Sequence, residues 1–215
     1  MASKHITASV SEQNETMQRY YVLQSKIYDL TRWTFLFGRR AVIRQLPLDP
    51  EKAHRILEVG CGTGYNLRLL ARRFPKAHLT GLDVSAHMIE KATKATKPFA
   101  QRVQLEERPY ALGDTQYLEQ FDAVLFSYSL TMINPQWEEL IRQAKADLKH
   151  GGVLAVADFF DSRFGWFKTH MGNNHVRMDG HLLPLLEQEF TTLSHEVKPA
   201  YGGVWDYFVH LGRKA

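Results

Sequence analysis

The chain has 215 residues, 44% of them hydrophobic and 23% charged, a balance that excludes disordered and fibrous classes and suits one packed domain. Its net charge of +4 serves solubility and would equally suit nucleic acid, an anionic membrane or an anionic substrate. No apolar run reaches the roughly 18 residues of a membrane span, the start of the chain is polar without a signal-peptide core, and Cys61 is the single cysteine, so the sequence predicts a cytoplasmic protein without a disulfide framework or multi-cysteine zinc site.

Residues 1–14 read as a tail. From about Glu15 to Leu46 there is no proline and one glycine, Gly38. Tyr20, Leu23, Ile27, Leu30, Trp33 and Phe37 recur at spacings of three and four and predict a helical stretch, with Tyr21, Ser25, Tyr28 and Arg32 as a neighbouring stripe. Pro47 and Pro50 mark a loop. Strands are then expected at 55–59, 78–83, 103–106, 121–127 and 153–159, and helices at 65–74, 86–95 and 137–148. Near-continuous apolar strands alternating with helices predict a doubly wound α/β sheet covered on both faces.

Residues 160–182 carry Phe164, Trp166, Phe167, Met171 and Met178 without a clear period, and read either as an insertion over the active site or as an irregular surface excursion. Segments 191–198 and 204–213 read as two strands joined through Pro199–Gly203, an antiparallel hairpin at the sheet edge. The chain is expected to form one domain: a helical cap over 1–50, a core over 51–160, and an insertion with the hairpin over 161–215.

The segment Ile56–Gly64 is a buried strand running into a glycine-rich turn and then a helix. Glycine lets the backbone turn sharply and a ligand approach closely. Asp83 ends the next strand, 19 residues past Gly64, where an acid can hold both ribose hydroxyls of an adenosine cofactor. Its other reading is a helix-start acid beside Ser85. A dinucleotide site needs a third glycine at position 65, and Tyr65 stands there. Cys61 reads as a small residue filling a tight turn rather than a nucleophile.

LEVGCGTG followed by GLDVS resembles the signature of class I S-adenosylmethionine (SAM)-dependent methyltransferases, and the resemblance runs over roughly residues 55–160. It implies a Rossmann-like fold and SAM as cofactor. By that resemblance Glu58 holds the loop and the cofactor's amino end, Gly60, Cys61, Gly62 and Gly64 form the cofactor loop, and Asp83 holds the ribose. Val84 and Met88 flank the adenine, and Ser127 sits beside the methionine moiety. Many relatives carry an Asp-Ala pair after the third strand; this chain reads Glu106-Glu107-Arg108-Pro109-Tyr110.

The stretch Tyr20–Arg40, with Phe126–Ile133, resembles bacterial lipid-headgroup N-methyltransferases of the diacylglycerylhomoserine type, and next the phosphatidylethanolamine type. That resemblance implies a lipid amine as acceptor and peripheral contact with an anionic membrane. Aromatic faces hold a quaternary ammonium by cation–π attraction, which makes Tyr20, Tyr21, Tyr28, Tyr128 and Tyr201 candidates, Tyr21 and Tyr28 first as catalytic residues. Arg39 is expected on a carboxylate of cofactor or substrate, or on a solvated helix face. The alternative function is a small-molecule O-, C- or N-methyltransferase. A non-catalytic SAM-binding or nucleic-acid-binding module comes last, because Arg39, Arg40 and Arg44 form only a short basic stripe.

Overall fold

The computed structural model describes residues 36–133, 135–173 and 176–215. The chain divides between Leu36 and Phe37, and the fold below is that of Phe37–Ala215. Tyr20, Tyr21 and Tyr28 lie outside the described residues.

Seven strands form one sheet: β1 (Arg55–Val59), β2 (His78–Asp83), β3 (Val103–Glu107), β4 (Phe121–Ser127), β5 (Leu148–Asp161), β6 (Thr191–Ala200) and β7 (Trp205–Arg213). Their order is β3-β2-β1-β4-β5-β7-β6. The first five are parallel, and β7 runs antiparallel to both β5 and β6. The hairpin therefore forms the expected antiparallel edge, with β7 inside and β6 outermost. Strand β5 is longer than expected because Leu148 already pairs with Phe121, and an irregularity around Gly151 (φ 75°) separates that pairing from the ladder resuming at Val153.

Alternation along each strand feeds two cores. On one face Ile56, Leu125 and Ala155 pack with Leu67 and Leu70 of α2 (Tyr65–Arg73) and with Val42 and Ile43 of α1 (Arg39–Gln45). Ile89 of α3 (Ala86–Thr96) joins them. On the other face Leu57, Val124, Phe126 and Val156 meet Leu140 and Ile141 of α4 (Trp137–Asp147) and Leu182, Leu185 and Leu186 of α6 (Leu182–Glu189). Each such aliphatic side chain contributes about 1.5–3 kcal/mol by leaving water.

Of the long stretch expected to be helical, the part before residue 36 lies outside the described residues; α1 follows Gly38, whose φ is a left-handed 79°. Val42 and Ile43 of α1 are buried on one face of the sheet. The stretch 160–182 contains α5 (Gly165–Gly172). Helix α6 was not expected from the sequence, since Leu182-Leu183-Pro184-Leu185-Leu186 is apolar nearly all round and carries a proline. That proline falls in the first turn, where its missing N–H costs nothing. Among the described residues no helix is long and apolar enough to cross a membrane.

Candidate functional site

In a sheet of this order the crevice lies at the carboxyl end of β1, where the chain continues to opposite sides toward β2 and β4. The glycine loop occupies that point. The Gly60 and Cys61 N–H groups both donate to the Leu82 carbonyl at 2.9 Å. Gly62 N–H donates to Asp83 Oδ2 at 2.8 Å, and Ser85 N–H to Asp83 Oδ1 at 3.0 Å. The helix cap is Ser85, whose Oγ accepts the Met88 N–H at 3.4 Å, so Asp83 fastens the loop with one oxygen and the cap residue's backbone with the other. Its carboxylate is partly exposed and keeps lone pairs for a ligand.

Two glycines are required for separate reasons. Gly60 has φ 72°, and a Cβ there would stand 2.9 Å from Ser129 Cβ; at Gly64 (φ 75°) it would stand 3.0 Å from Ala92 Cα. Gly64 thus lets α2 approach α3, while Gly60 keeps the crevice floor thin. The Cys61 side chain is buried in the core beside Gly81.

Glu58 alternates with Leu57 and Val59 and so shares a face with Ile56. Its carboxylate is almost fully buried and accepts Asn66 Nδ2 at 2.7 Å. Asn66, at the start of α2, was missed by sequence reasoning; its position two residues past the last loop glycine is the available signal. Ser127 ends β4 on the same face as Leu125. Ser127 Oγ and Asn66 Oδ1 are buried without a hydrogen-bond partner among the described residues. An unpaired buried polar group costs about 1–3 kcal/mol. Arg39 lies over the Tyr65 ring, 4.3 Å from its centroid, and its charge is felt by Tyr128, placing it at the crevice end of α1. Val84 is 72% exposed and Met88 half-buried beyond Asp83.

The β3 exit departs from the Asp-Ala pattern in a way the structure explains. Arg108 N–H donates to the Asp83 carbonyl at 3.1 Å, and its guanidinium bridges Glu106 (2.8 Å) and Asp114. Tyr117 Oη donates to Glu106 at 2.6 Å. Glu106 is thereby consumed by the loop's own fastening.

Beyond β4 and β5 lies a second group of buried polar and aromatic side chains. Tyr128 adopts φ 55°; its N–H donates to the Ala157 carbonyl at 2.8 Å and its hydroxyl to the Phe37 carbonyl at 2.9 Å. Its ring is buried edge-on against Phe159 at 4.7 Å, so Tyr128 is a core residue and not an open cation–π face. Tyr201 is half exposed and sits with Phe37 (5.5 Å) and Trp205 (4.8 Å) in an aromatic cluster. Asp158 is fully buried and accepts N–H groups of Leu130 (3.0 Å) and Phe159 (2.9 Å) and the Thr131 hydroxyl (2.5 Å). Burial pushes its carboxyl up to about 6. Arg177 N–H donates to the Thr131 carbonyl and Gly180 N–H to the Phe160 carbonyl, each at 2.9 Å, which brings Asp179 and His181 to this edge. His181 Nδ1 stands 2.6 Å from Asp179 Oδ1. Among the described residues no group of three or more His, Cys, Asp or Glu could hold a metal ion.

The methyltransferase domain family matches residues 56–152. The chain is 37% identical over 124 residues to the trans-aconitate 2-methyltransferase of Deinococcus radiodurans, which covers 57% of this chain and 45% of that protein. It is 26% identical over 166 residues to the carboxy-S-adenosyl-L-methionine synthase of Campylobacter curvus, covering 67% and 68%. The chain thus spans less than half the length of the Deinococcus relative. Among solved structures, the 1,6-didemethyltoxoflavin-N1-methyltransferase of Burkholderia thailandensis, with bound 1,6-didemethyltoxoflavin and S-adenosylhomocysteine, superimposes with a TM-score of 0.68 at 17% identity over 99% of this chain and 93% of that one. Residues 56–152 thus match a methyltransferase domain in sequence, and the sheet that carries them has the fold of solved methyltransferase structures.

Proposed function

We propose that the chain transfers the methyl group of SAM to a small-molecule acceptor. The observation that carries this is the pairing of Asp83, fixed beside the glycine loop by Gly62 and Ser85, with the buried, unpaired Ser127 Oγ across the same crevice. Asp83 would accept the ribose hydroxyls, with Val84 and Met88 along the adenine. Glu58, through Asn66, and the loop backbone of Gly60 to Gly64 would hold the amino end, and Ser127 and Arg39 the methionine end. Bound there, SAM supplies an electrophilic methyl on a sulfonium, and the protein's part is to orient the acceptor and exclude water. Residues 51–160 act in this reading as the cofactor core and 161–215 as the acceptor side.

The relatives favour a small molecule over the lipid headgroup that the Tyr20–Arg40 stretch suggested: each one described above is named for a small-molecule substrate or product. Calorimetry with SAM and S-adenosylhomocysteine, followed by tritiated-SAM transfer to aqueous and chloroform-soluble extract fractions, tests the reading. Binding with label in the aqueous fraction is expected. Label confined to the chloroform fraction restores the lipid amine, and absence of SAM binding removes the methyltransferase reading altogether.

A further inference from the structure

Methyl acceptors differ in whether a proton must leave. A carboxylate is ionised at neutral pH and needs no base, whereas a hydroxyl or an ammonium must lose a proton before or during attack. The acceptor side of this chain holds a group suited to receive one. His181 precedes α6, two residues after Asp179, and Asp179 Oδ1 stands 2.6 Å from His181 Nδ1. A carboxylate only accepts, so the ring proton lies on Nδ1 and the lone pair is left on Nε2. Asp179 is itself held by Arg177 Nε at 2.8 Å on its other oxygen. Gly180 fixes the turn between them with φ 70°, against the Phe160 ring.

The His181 side chain is only 6% exposed, lies edge-on to Trp137 at 4.8 Å, and its Nε2 is buried without a hydrogen-bond partner among the described residues. A stable fold would be served as well by an apolar side chain here, without about 1–3 kcal/mol of unmet hydrogen bonding. The location is also specific. The Arg177–Thr131 and Gly180–Phe160 backbone bonds anchor the segment to the turn after β4 and to the end of β5, the carboxyl end of the sheet, where ligands of such folds bind.

We propose that His181, oriented by Asp179, is the general base for methyl transfer, and that the acceptor is therefore a hydroxyl or an amine rather than a carboxylate. This rests on the methyltransferase reading above. In the step, the acceptor's O–H or N–H bond breaks and its proton passes to Nε2, while the oxygen or nitrogen lone pair bonds to the methyl carbon. The C–S pair returns to sulfur, leaving a thioether. The imidazolium formed is stabilised by Asp179. Burial holds His181 below its ordinary 6.5, partly offset by Asp179, so the ring is neutral and ready at neutral pH. Asp179 and Arg177 are the charged groups that act on it, and against the cost of partial burial Arg177 and His181 keep the Asp179 carboxyl below its usual range.

The test has two arms. Nitrogen-15 NMR of histidine-labelled protein bound to S-adenosylhomocysteine should show His181 neutral with its proton on Nδ1, and Asp179→Asn should disturb that tautomer. Tritiated SAM is then offered with catechol, ethanolamine and trans-aconitate as probe acceptors. Label is expected in catechol or ethanolamine, with His181→Gln lowering kcat about 100-fold or more while SAM affinity by calorimetry stays unchanged. The wild-type kcat/KM should fall with unit slope on the acid side. The proposal is overturned by a proton on Nε2, by label confined to trans-aconitate, or by His181→Gln turning over at the wild-type rate. If no probe is labelled, the tautomer alone decides. Loss of the methyltransferase reading is distinct, since it appears as absence of SAM binding in the wild type.

Discussion

Asp83 accepts the Gly62 backbone N–H at 2.8 Å, so the last residue of β2 locks the loop that leaves β1. One carboxylate therefore shapes the loop and, in the proposed reading, binds the ribose.

Asp83→Ala should lose both roles. Cofactor affinity is expected to fall by about 1.5–3 kcal/mol, the range for charge-assisted hydrogen bonds, and folding stability by about 1 kcal/mol. Calorimetry with S-adenosylhomocysteine and urea titration measure the two separately. An unchanged dissociation constant would remove Asp83 from the site and leave it a loop fastener.

Gly64 and Gly172 should respond in opposite directions to alanine. At Gly64 the left-handed φ and the Ala92 backbone at 3.0 Å predict a loss of about 1–3 kcal/mol. Gly172 ends α5 with open space around it, and alanine there should be neutral or stabilise by up to about 1 kcal/mol. Urea midpoints of the two variants check the contrast.

Stability against pH should reflect two buried groups that pull oppositely. Burial, with the charge of His195 behind it, lowers His210 from 6.5 to about 4. The unfolded chain then binds the proton more readily, so this contribution is complete above about 6.5 and falls as pH drops toward 4. Burial raises Asp158 from 3.8 to about 6, so its contribution is complete below about 3.8 and falls as pH rises toward 6. Between those limits the slopes cancel in large part. His210→Leu should expose the Asp158 slope, making the protein less stable by about 1–3 kcal/mol on going from about pH 4 to pH 6.5. Urea titrations across that range test it, and a flat profile in the variant would count against the Asp158 contribution.

Tyr128→Phe deletes the hydroxyl bonded to the Phe37 carbonyl but keeps the ring against Phe159. A loss of about 0.5–1.5 kcal/mol is expected. Hydrogen exchange should show the change at Gly38 and Arg39, where the tether ends, rather than throughout the sheet.

The sequence displayed what local pattern controls. Strands β1, β2 and β4 are bounded apolar runs, and the spacing of Gly60, Gly62 and Gly64 before a helix carries its own steric meaning. The hairpin was equally visible, because Pro199–Gly203 breaks two alternating segments. Features set by tertiary juxtaposition were not legible. Asp158 reads as one more residue of an apolar strand until Leu130 and Thr131 fold onto it. His181 stands in an aperiodic stretch, and only the backbone bonds to Thr131 and Phe160 bring it to the ends of β4 and β5; the Asp-Gly-His spacing was the single local hint. Helix α6 escaped because a uniformly apolar run with a proline has no helical period to detect.

Phe37 and Tyr207 stack at 5.7 Å across a separation of 170 residues, and Phe37 also meets Tyr201 and Trp205. Closing so long a span is entropically slow, so this aromatic rim should become ordered after the parallel core has already condensed. It should accordingly be the first part to loosen under mild denaturant, with tryptophan fluorescence from Trp205 changing before far-ultraviolet circular dichroism. An evolving lineage could not exchange such a rim as a single loop cassette; new preferences there would have to accumulate through separate substitutions at distant points of the chain.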